Sequence, residues 1–254
     1  MVVAETEKPP LSLVVPVYNE ADNILPLLEA VRSEVDLPHE TLLVYDFEED
    51  STLPPARDFA EGYEPLRLVH NTIGRGVLNA LKTGMSEASG DVIIVIMADL
   101  SDDITQIDEM ARRVREGAGI VAGSRYMRGG GQVGGPPVKA FLSRTAGLSL
   151  RWLTRIGTHD ATNNFKAYSQ ELVEDIEIES RSGFELGLEM ATKAHLGGYR
   201  IEEIPTIWRD RTAGESRFQI VKWLPSYLRW YLTCVAGTWS GRARRARKER
   251  FGRL

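Results

Sequence analysis

Residues 92–103, with the sequence VIIVIMADLSDD, decide how the chain folds, because six apolar residues lead directly into an acidic turn. An uninterrupted apolar run of this length predicts a strand that is buried on both faces of a parallel sheet. Its carboxyl end brings Asp99, Asp102 and Asp103 to the edge where open α/β sheets bind ligands. Carboxylates beside a buried strand are costly without a cation, so Asp99, nearest to the strand, is predicted to be functional. For Asp102 and Asp103, capping of the next helix in a solvated turn is the simpler interpretation.

Other apolar runs recur at intervals of about 25 residues, which is the length of one strand, one helix and two short loops. They lie at residues 11–17, 41–45, 66–70 and 119–122. This spacing predicts an α/β fold with a mostly parallel, twisted sheet and helices on both faces. A second acidic turn, YDFEEDST, directly follows the run at 41–45 and is expected at the same edge of the sheet as Asp99.

The net charge of the 254-residue chain is −5, but the charge is unevenly distributed. Residues 241–254 carry seven Lys and Arg against one Glu, a charge of +6, which leaves −11 for residues 1–240. Cys234 is the only cysteine, so an intrachain disulfide and a cysteine-cluster metal site are excluded. The sequence shows no secretory leader and no unbroken apolar stretch of about 18 residues, so we expect a cytoplasmic protein that does not span the membrane.

Two short segments are suited to binding phosphate groups. Gly74 and Arg75 precede a predicted helix, where glycine allows close backbone approach and exposed N–H groups favour an anion. Arg209 and Arg211 follow a predicted strand and form a cationic loop. Neither G-x-G-x-x-G nor a Walker lysine motif occurs, which excludes a dinucleotide fingerprint and a P-loop.

The regular spacing of apolar runs ends after residue 122. Residues 128–137, RGGGQVGGPP, contain five glycines and two prolines and are predicted to form a mobile loop that orders only with a ligand. An amphipathic helix is predicted over residues 138–156, and a strand over residues 199–208. His159 lies in a polar turn, where a structural or exposed role is a simpler interpretation than catalysis.

The C-terminal residues combine aromatic side chains with positive charge. The aromatic residues of the segment 218–239 are Trp223, Tyr227, Trp230, Tyr231 and Trp239, and residues 242–250 are strongly basic. This combination is typical of an amphipathic helix at an anionic membrane surface. The alternative is a helix that packs on the core or on a second subunit. Nucleic acid is a poor candidate for the partner of this tail, because the rest of the chain is acidic. We therefore predict a globular domain over residues 1–217 and an amphipathic, basic tail over residues 218–254.

Eight motifs in order resemble the family 2 inverting glycosyltransferases with a GT-A fold, and within them the dolichol- or polyprenyl-phosphate mannose synthases. They are VVPVYNE (14–20), the acidic turn ending EDST (49–52), GRGVLNALKTGM (74–85), IMADLSDD (96–103), GSRY (123–126), LSR (142–144), D-x-x-x-x-FKAY (160–168) and EIPTIWRDRTAGESRF (203–218). Each motif alone is weak evidence, but an ordered series is strong. The resemblance spans residues 11–217.

Two positions depart from the pattern of that family. Where the family has two aspartates followed by a Gly-Ser turn, residues 45–48 read YDFE and retain only the second acid. The D-x-D metal motif falls on residues 97–99, which read MAD, so Asp99 is the matching ligand that remains. A thioether is a poor ligand for Mg²⁺ or Mn²⁺. Asp102 or Asp103, together with water and diphosphate oxygens, would then complete the coordination.

The resemblance implies an enzyme that transfers a sugar from a nucleotide-sugar donor to a lipid-linked phosphate, with inversion and with Mg²⁺ or Mn²⁺ as cofactor. It assigns the nucleoside to Pro16, Tyr18, Glu20 and Asp46, and the cation to Asp99. The candidates for orienting the acceptor phosphate are Arg125, Arg144, Arg209 and Arg211, since guanidinium matches phosphate at two points. Such an enzyme is expected to bind peripherally at the cytoplasmic face of an anionic membrane.

Two other functions remain compatible with the sequence. A family 2 glycosyltransferase with a soluble or polysaccharide acceptor would share the core but would need a carboxylate base such as Asp102, Asp103 or Asp160. A non-catalytic protein that has lost the first metal acid would bind a nucleotide-sugar without turnover.

Overall fold

The computed structural model of the chain describes residues 10–181, 183–210 and 220–251. Its strands are β1 (Leu11–Pro16), β2 (His39–Tyr45), β3 (Leu66–His70), β4 (Val92–Val95), β5 (Ile120–Ser124), β6 (Gly131–Val133), β7 (Lys166–Ser169), β8 (Ile201–Pro205) and β9 (Ile207–Arg209). Its helices are α1 (Ala21–Glu34), α2 (Leu53–Ala60), α3 (Val77–Glu87), α4 (Ile107–Arg115), α5 (Pro137–Thr154), α6 (Gln170–Asp175), α7 (Leu186–Leu196), α8 (Ile220–Trp239) and α9 (Arg242–Phe251), with a 3-10 turn at Ile104–Gln106.

The central sheet has the strand order β3-β2-β1-β4-β7-β5-β8. Neighbouring strands are parallel except for β7, which runs antiparallel to both β4 and β5. The predicted mostly parallel α/β sheet is therefore confirmed. The apolar pattern does not predict β7, because this central strand carries the charged residue Lys166 where buried strands usually carry apolar residues.

Helices cover both faces of the sheet, as predicted. The alternation along β1 shows this directly, since Leu13 and Val15 pack with α1 and α4 while Val14 packs with α3. A Cβ at Gly84 in α3 would lie 2.3 Å from Cγ1 of Val14, so the absence of a side chain lets the helix approach β1 closely. This packing places the start of α3 next to the carboxyl ends of the strands.

The apolar run over residues 92–97 forms a strand only over Val92–Val95. The backbone N–H of Met97 donates to Oδ2 of Asp102 at 2.9 Å and does not continue the ladder. The chain therefore leaves the sheet earlier than predicted, and Asp99 lies in the turn beyond the strand end.

Two further predictions are corrected by the pairing of β6 with β9. The strand predicted over residues 199–208 is divided into β8 and β9 at Thr206, whose N–H donates to the carbonyl of Ser124 at 3.2 Å. After this break, β9 leaves the central sheet and pairs in parallel with β6. The segment at residues 128–137, predicted to be a loop, therefore contains the strand β6, which its glycines conceal because glycine is depleted in strands. Its mobility without a ligand stays a prediction.

The predicted C-terminal helices are present as α8 and α9, but α8 belongs to the same core as α7. Trp223 and Trp230 are only 8% and 3% exposed, so the prediction that they face a membrane is wrong. Both tryptophans lie on the side of α8 that packs against the body of the protein. The predicted boundary between residues 217 and 218 lies outside the described residues. Within the described part of the chain, no helix has both the length and the hydropathy that crossing a bilayer requires.

Candidate active site

A cavity of about 750 Å³ lies at the carboxyl ends of β1, β2 and β4. We call its two sides the strand wall and the helix wall. The strand wall includes Pro16, Tyr18, Glu20, Asp46, Arg75, Met97, Asp99 and Asp102. The helix wall, from α5 and α8, includes Lys139, Leu142, Ser143, Trp223, Leu224 and Tyr227. The strand wall is mostly polar and the helix wall mostly apolar, so the cavity suits a ligand with one polar and one apolar part.

The turn after β1 is fixed by the loop after β2. Asn19, which has a left-handed φ of 55°, donates its backbone N–H to Oδ1 of Asp50 at 3.0 Å. The N–H of Glu20 donates to Oγ1 of Thr52 at 2.8 Å. Asparagine tolerates this backbone conformation better than most residues, which suits it to the turn. These bonds hold Tyr18 and Glu20, both predicted to bind the nucleoside, at the edge of the cavity.

Asp46 connects three elements at the base of the strand wall. Its side chain is buried, and Oδ1 accepts from Nδ2 of Asn71 at 2.7 Å while Oδ2 accepts from the N–H of Gly76 at 2.7 Å. The predicted residue Gly74 is exposed and does not line the cavity, and its carbonyl accepts from Nδ2 of Asn71 at 2.6 Å. Asp46 therefore fixes the loop that carries Arg75.

Arg75 is exposed in the strand wall and lies over an aromatic ring that the family pattern does not contain. Its guanidinium carbon lies 5.2 Å from the ring centroid of Phe47. The ring of Tyr18 meets the same Phe47 ring edge-on, with centroids 5.5 Å apart. A cation over an aromatic face is weakly attracted to it. Phe47 is not among the predicted site residues, because the sequence around Phe47 does not show that its ring contacts Arg75.

The acidic turn places two of its three aspartates in the cavity. Oδ1 of Asp99 accepts from the N–H of Ser101 at 3.2 Å. Burial and the neighbouring Asp99 carboxylate raise the pKa of Asp102 to about 7, although the Met97 N–H opposes this shift. Asp103 does not line the cavity, and its Oδ1 accepts from Oγ1 of Thr105 at 2.6 Å at the start of the 3-10 turn.

The donor set of this turn limits what kind of metal site it can form. Among the described residues, no group of three or more His, Cys, Asp or Glu side chains is placed to hold a metal ion. Asp99 and Asp102 nevertheless lie in one cavity and repel each other, which a cation would relieve. Mg²⁺ commonly binds one or two carboxylates and completes its shell with water and substrate phosphates. The residues therefore fit a cation that a diphosphate ligand helps to hold.

Of the four arginines predicted to orient the acceptor phosphate, Arg125 is the one that lines the cavity in the described part of the chain. Its Nε lies 2.6 Å from Oδ2 and its Nη2 lies 3.0 Å from Oδ1 of Asp160, which is fully buried. Arg144 lies exposed on α5, close enough to act electrostatically on Tyr126. Arg209 lies in β9, where its N–H donates to Ser101. Arg211 lies outside the described residues.

Lys166 lies beneath this ion pair. Its side chain is fully buried, and Nζ donates to the carbonyl of Ala161 at 3.2 Å. Burial lowers the pKa of Lys166 to about 7, while Asp160 and Asp102 favour its charged form. His159, next to Asp160 in sequence, instead pairs with Glu203 through Nδ1 and Oε1 at 2.5 Å, outside the cavity lining. Charged groups thus continue below the cavity floor.

The sequence model of the family described as "Glycosyl transferase family 2" matches residues 12–177, and the chain belongs to this family. Among its relatives, the Dolichol-phosphate mannosyltransferase of Pyrococcus furiosus is 29% identical over 212 residues, which cover 82% of this chain and 59% of that protein. The Polyprenol monophosphomannose synthase of Mycolicibacterium smegmatis is 26% identical over 227 residues, which cover 83% and 85% of the two chains. The chain therefore spans less than two thirds of the length of the first of these relatives.

Solved structures of glucosyl-3-phosphoglycerate synthase from Mycobacterium tuberculosis share the fold. The complex with Mn²⁺, UDP and glucosyl-3-phosphoglycerate gives a TM-score of 0.64 at 19% identity and covers 91% of this chain and 80% of that one. The complex with Mg²⁺ and UDP gives a TM-score of 0.63 at 19% identity, covering 91% and 79%. The predicted GT-A architecture is therefore confirmed.

Proposed function

We propose that the protein transfers a sugar, with inversion, from a nucleotide-sugar donor to a polyprenyl phosphate at a membrane surface. Membership of glycosyl transferase family 2 and the names of two relatives support this proposal. The observation that carries it is the helix wall, whose apolar surface continues from the cavity onto the outside of the protein.

This outer surface, which we call the apolar face, is formed by α5 and α8. Its exposed side chains are Val138, Phe141, Leu142 and Trp152 from α5 and Leu224, Leu228, Leu232 and Trp239 from α8. The hydroxyl of Tyr231 donates to Oγ of Ser149 at 2.9 Å, and Nε1 of Trp239 donates to the carbonyl of Leu153 at 3.2 Å. The contacts advance together along both helices, so the helices run in the same direction.

A contiguous apolar surface of this kind is unusual on a water-soluble monomer and marks an interaction site. Phe141 and Trp152 are 69% and 81% exposed, so large side chains are fully available to a partner. Leu142 and Leu224 belong to both the apolar face and the cavity lining. A prenyl chain lying in a bilayer can therefore bring its phosphate into the cavity without leaving apolar surroundings.

The proposed mechanism divides the work between the two walls. Pro16, Tyr18, Glu20 and Asp46 bind and orient the nucleoside. Asp99 and Asp102 would hold a divalent cation, which would supply Lewis-acid stabilisation to the departing diphosphate. The acceptor phosphate is already an anion near neutral pH, so its oxygen attacks the anomeric carbon without a strong general base. Arg125, Arg144, Arg209 and Arg211 are proposed to hold that phosphate.

The proposal includes peripheral binding at the cytoplasmic face of an anionic membrane. The basic helix α9 follows directly after the apolar face, and Arg242, Arg245 and Lys248 are exposed on it. Basic residues near an anionic leaflet add to the binding that apolar side chains provide.

The test is an assay of the full chain with labelled nucleotide-sugars and vesicles that contain polyprenyl phosphate, in Mg²⁺ or Mn²⁺. Label that passes into organic solvent only when both donor and acceptor are present supports the proposal. Transfer to a soluble acceptor alone would replace it with the soluble-acceptor function. Donor binding without any transfer would indicate a non-catalytic binding protein.

A further inference from the structure

The guanidinium of Arg125 reaches the cavity with one edge, formed by Nε and Nη2, already bound to a carboxylate. Asp160 accepts from Nε and Nη2 in a two-point contact, and its Oδ2 also accepts from the backbone N–H of Arg125 at 3.2 Å. The arginine side chain is 9% exposed and the aspartate side chain 0%. Within the described residues, Nη1 is the guanidinium nitrogen left without a protein acceptor.

A second contact restrains the plane of this guanidinium. Its central carbon lies 4.9 Å from the ring centroid of Tyr126. The hydroxyl of Tyr126 in turn forms a hydrogen bond with Oγ of Ser143, a residue of α5 that lines the cavity. The guanidinium of Arg125 is thus bound at its edge by the Asp160 carboxylate and contacted on its face by the Tyr126 ring. That ring is hydrogen-bonded to the helix wall through Ser143.

Asp160 is fixed by the turn in which it lies. Its N–H donates to Oγ1 of Thr158 at 3.0 Å, and its Oδ1 accepts from Oγ1 of Thr162 at 3.2 Å. The same turn is bound to β5 through Nδ2 of Asn163, which donates to the carbonyl of Gly123 at 2.9 Å. An aspartate held by several neighbours can orient an arginine without losing further conformational entropy.

We propose that Asp160 and Tyr126 are positioning residues that aim Nη1 of Arg125 at the acceptor phosphate. The buried pair has no net formal charge, so Arg125 would recognise the phosphate by the direction of its N–H groups more than by attraction at a distance. This proposal rests on the proposed function. Preorganised donors of this kind act without reorganisation when charge shifts during the reaction.

The arrangement explains why lysine could not replace Arg125. A lysine at residue 125 would offer one rotatable ammonium group, which Asp160 would capture, leaving no second nitrogen for the ligand. An arginine has a rigid fork, so one side can bind the carboxylate while the other nitrogen stays available. We therefore expect Arg125→Lys to lose activity although it keeps the charge.

The test compares Asp160→Asn with the matched control Glu203→Gln. Glu203 also has a paired carboxylate, because its Oε1 lies 2.5 Å from Nδ1 of His159, the residue before Asp160 in the sequence. Glu203 does not line the cavity. In Asp160→Asn we expect kcat for polyprenyl phosphate to fall about 30-fold, with the donor Kd within a factor of two. The acceptor KM should stay the same or fall, because the freed guanidinium adds positive charge. Glu203→Gln should retain wild-type kcat.

Asp160→Asn leaves a buried arginine without its carboxylate, so Tyr126→Phe provides a milder second variant. It keeps the ring under the guanidinium and removes only the hydrogen bond to Ser143. We expect a loss in kcat of about threefold to tenfold, because the ring is less firmly held.

An NMR measurement separates this proposal from the proposed function. A guanidinium in a rigid two-point contact rotates slowly about its Nε–Cζ bond, so the Nη protons of Arg125 should give resolved signals in the wild type and in Glu203→Gln. In Asp160→Asn these signals should merge. Averaged signals in the wild type would overturn the positioning role even if the enzyme is active. Resolved signals in a protein without transferase activity would leave the positioning intact and refute only the proposed function.

A kinetic outcome can also overturn the proposal. If Asp160→Asn weakens donor binding, acceptor binding and the unfolding midpoint together, its role is structural. If kcat is unchanged, the direction of the Arg125 N–H groups has no part in the reaction.

Discussion

The strand wall and the helix wall of the cavity are built in different ways. In the strand wall, turns that follow neighbouring parallel strands bind each other directly, as Asn19 binds Asp50 and Asp46 binds Gly76. In the helix wall, contacts join elements far apart in the sequence, such as Ser149 with Tyr231. Polar contacts join the turns of the strand wall, whereas large apolar side chains of the helix wall remain exposed. The strand wall therefore suits a polar ligand with a cation beside Asp99 and Asp102, whereas the helix wall suits an apolar partner.

The largest effect is expected from Asp99→Asn, which tests the chemistry of the strand wall. The substitution removes a ligand charge but keeps nearly the same volume, so the fold should be unchanged. We expect kcat to fall about 100-fold in saturating Mn²⁺, because stabilisation of the leaving diphosphate is lost. The assay is transfer to polyprenyl phosphate across a Mn²⁺ titration, with circular dichroism as the control for folding. Unchanged turnover at every Mn²⁺ concentration would contradict the role of Asp99.

Lys166 is buried below the cavity floor and gives a pH prediction. Its pKa in the folded protein is lowered to about 7, so the unfolded chain binds more protons between pH 7 and pH 10. The free energy of unfolding of the wild type should therefore rise with pH in this window. Below pH 7 the full cost of burying the charge applies, with an upper limit of about 5 kcal/mol.

The matched variant is Lys166→Met, which removes the buried ammonium and retains a side chain of similar length. We expect the variant to be more stable than the wild type at pH 6, and the difference to shrink toward pH 10. Urea denaturation at several pH values measures both curves. A difference that is constant with pH would mean that Lys166 does not titrate in this range.

The contrast between the walls also explains what the sequence could predict. Asp46 and Asp99 each follow an apolar run, and parallel strands bring their carboxyl ends to one edge, so pattern alone indicates that both lie near one cavity. Arg125 and Asp160 are separated by 35 residues, and no local signal pairs them. The antiparallel strand β7 is equally hidden, because Lys166 interrupts its apolar pattern and its neighbours in the sheet are distant in sequence.

The same reason accounts for the wrong placement of two tryptophans in the tail. Composition alone places Trp223 and Trp230 at a membrane, yet which side of a helix faces the core depends on its tertiary contacts. The exposed leucines at 224, 228 and 232 carry the apolar face instead, at a spacing of four residues. Because α8 has two apolar sides, the sequence alone does not show which side faces the core.

The apolar face gives the third prediction, with a matched pair of variants. Phe141→Asp places a charge in the apolar face, and Leu25→Asp places one on α1, on the opposite side of the sheet. Losing the burial of one aromatic side chain should weaken binding to vesicles about 30-fold in the first variant. Leu25→Asp should bind vesicles like the wild type, and nucleotide affinity should be unchanged in both. Vesicle flotation and nucleotide titration measure these effects, and equal losses in the two variants would refute the assigned face.

The smallest effect concerns α9, where two exposed arginines differ in their partners. Arg250 lies 2.5 Å from Oε1 of Glu171 and 3.1 Å from Oδ2 of Asp175, and its guanidinium carbon lies 3.5 Å from the ring centroid of Tyr199. No ion pair joins Arg245 to another described residue, so its charge is available to an anionic leaflet. Each basic residue close to such a surface contributes about 1 kcal/mol, or roughly a fivefold change in affinity.

Arg245→Ala should therefore lower the affinity for anionic vesicles about fivefold at low salt, and the loss should disappear at high salt. Arg250→Ala should change vesicle binding less, because the two carboxylates already neutralise its charge. The stability effects should be reversed: Arg250→Ala should lower the free energy of unfolding by about 0.5 to 1 kcal/mol, as is usual for exposed ion pairs, and Arg245→Ala should leave it unchanged. Flotation at two salt concentrations and urea denaturation measure the two quantities. Equal vesicle losses in both variants would show that Arg250 leaves its partners on the membrane, and α9 would then bind the bilayer along its whole length.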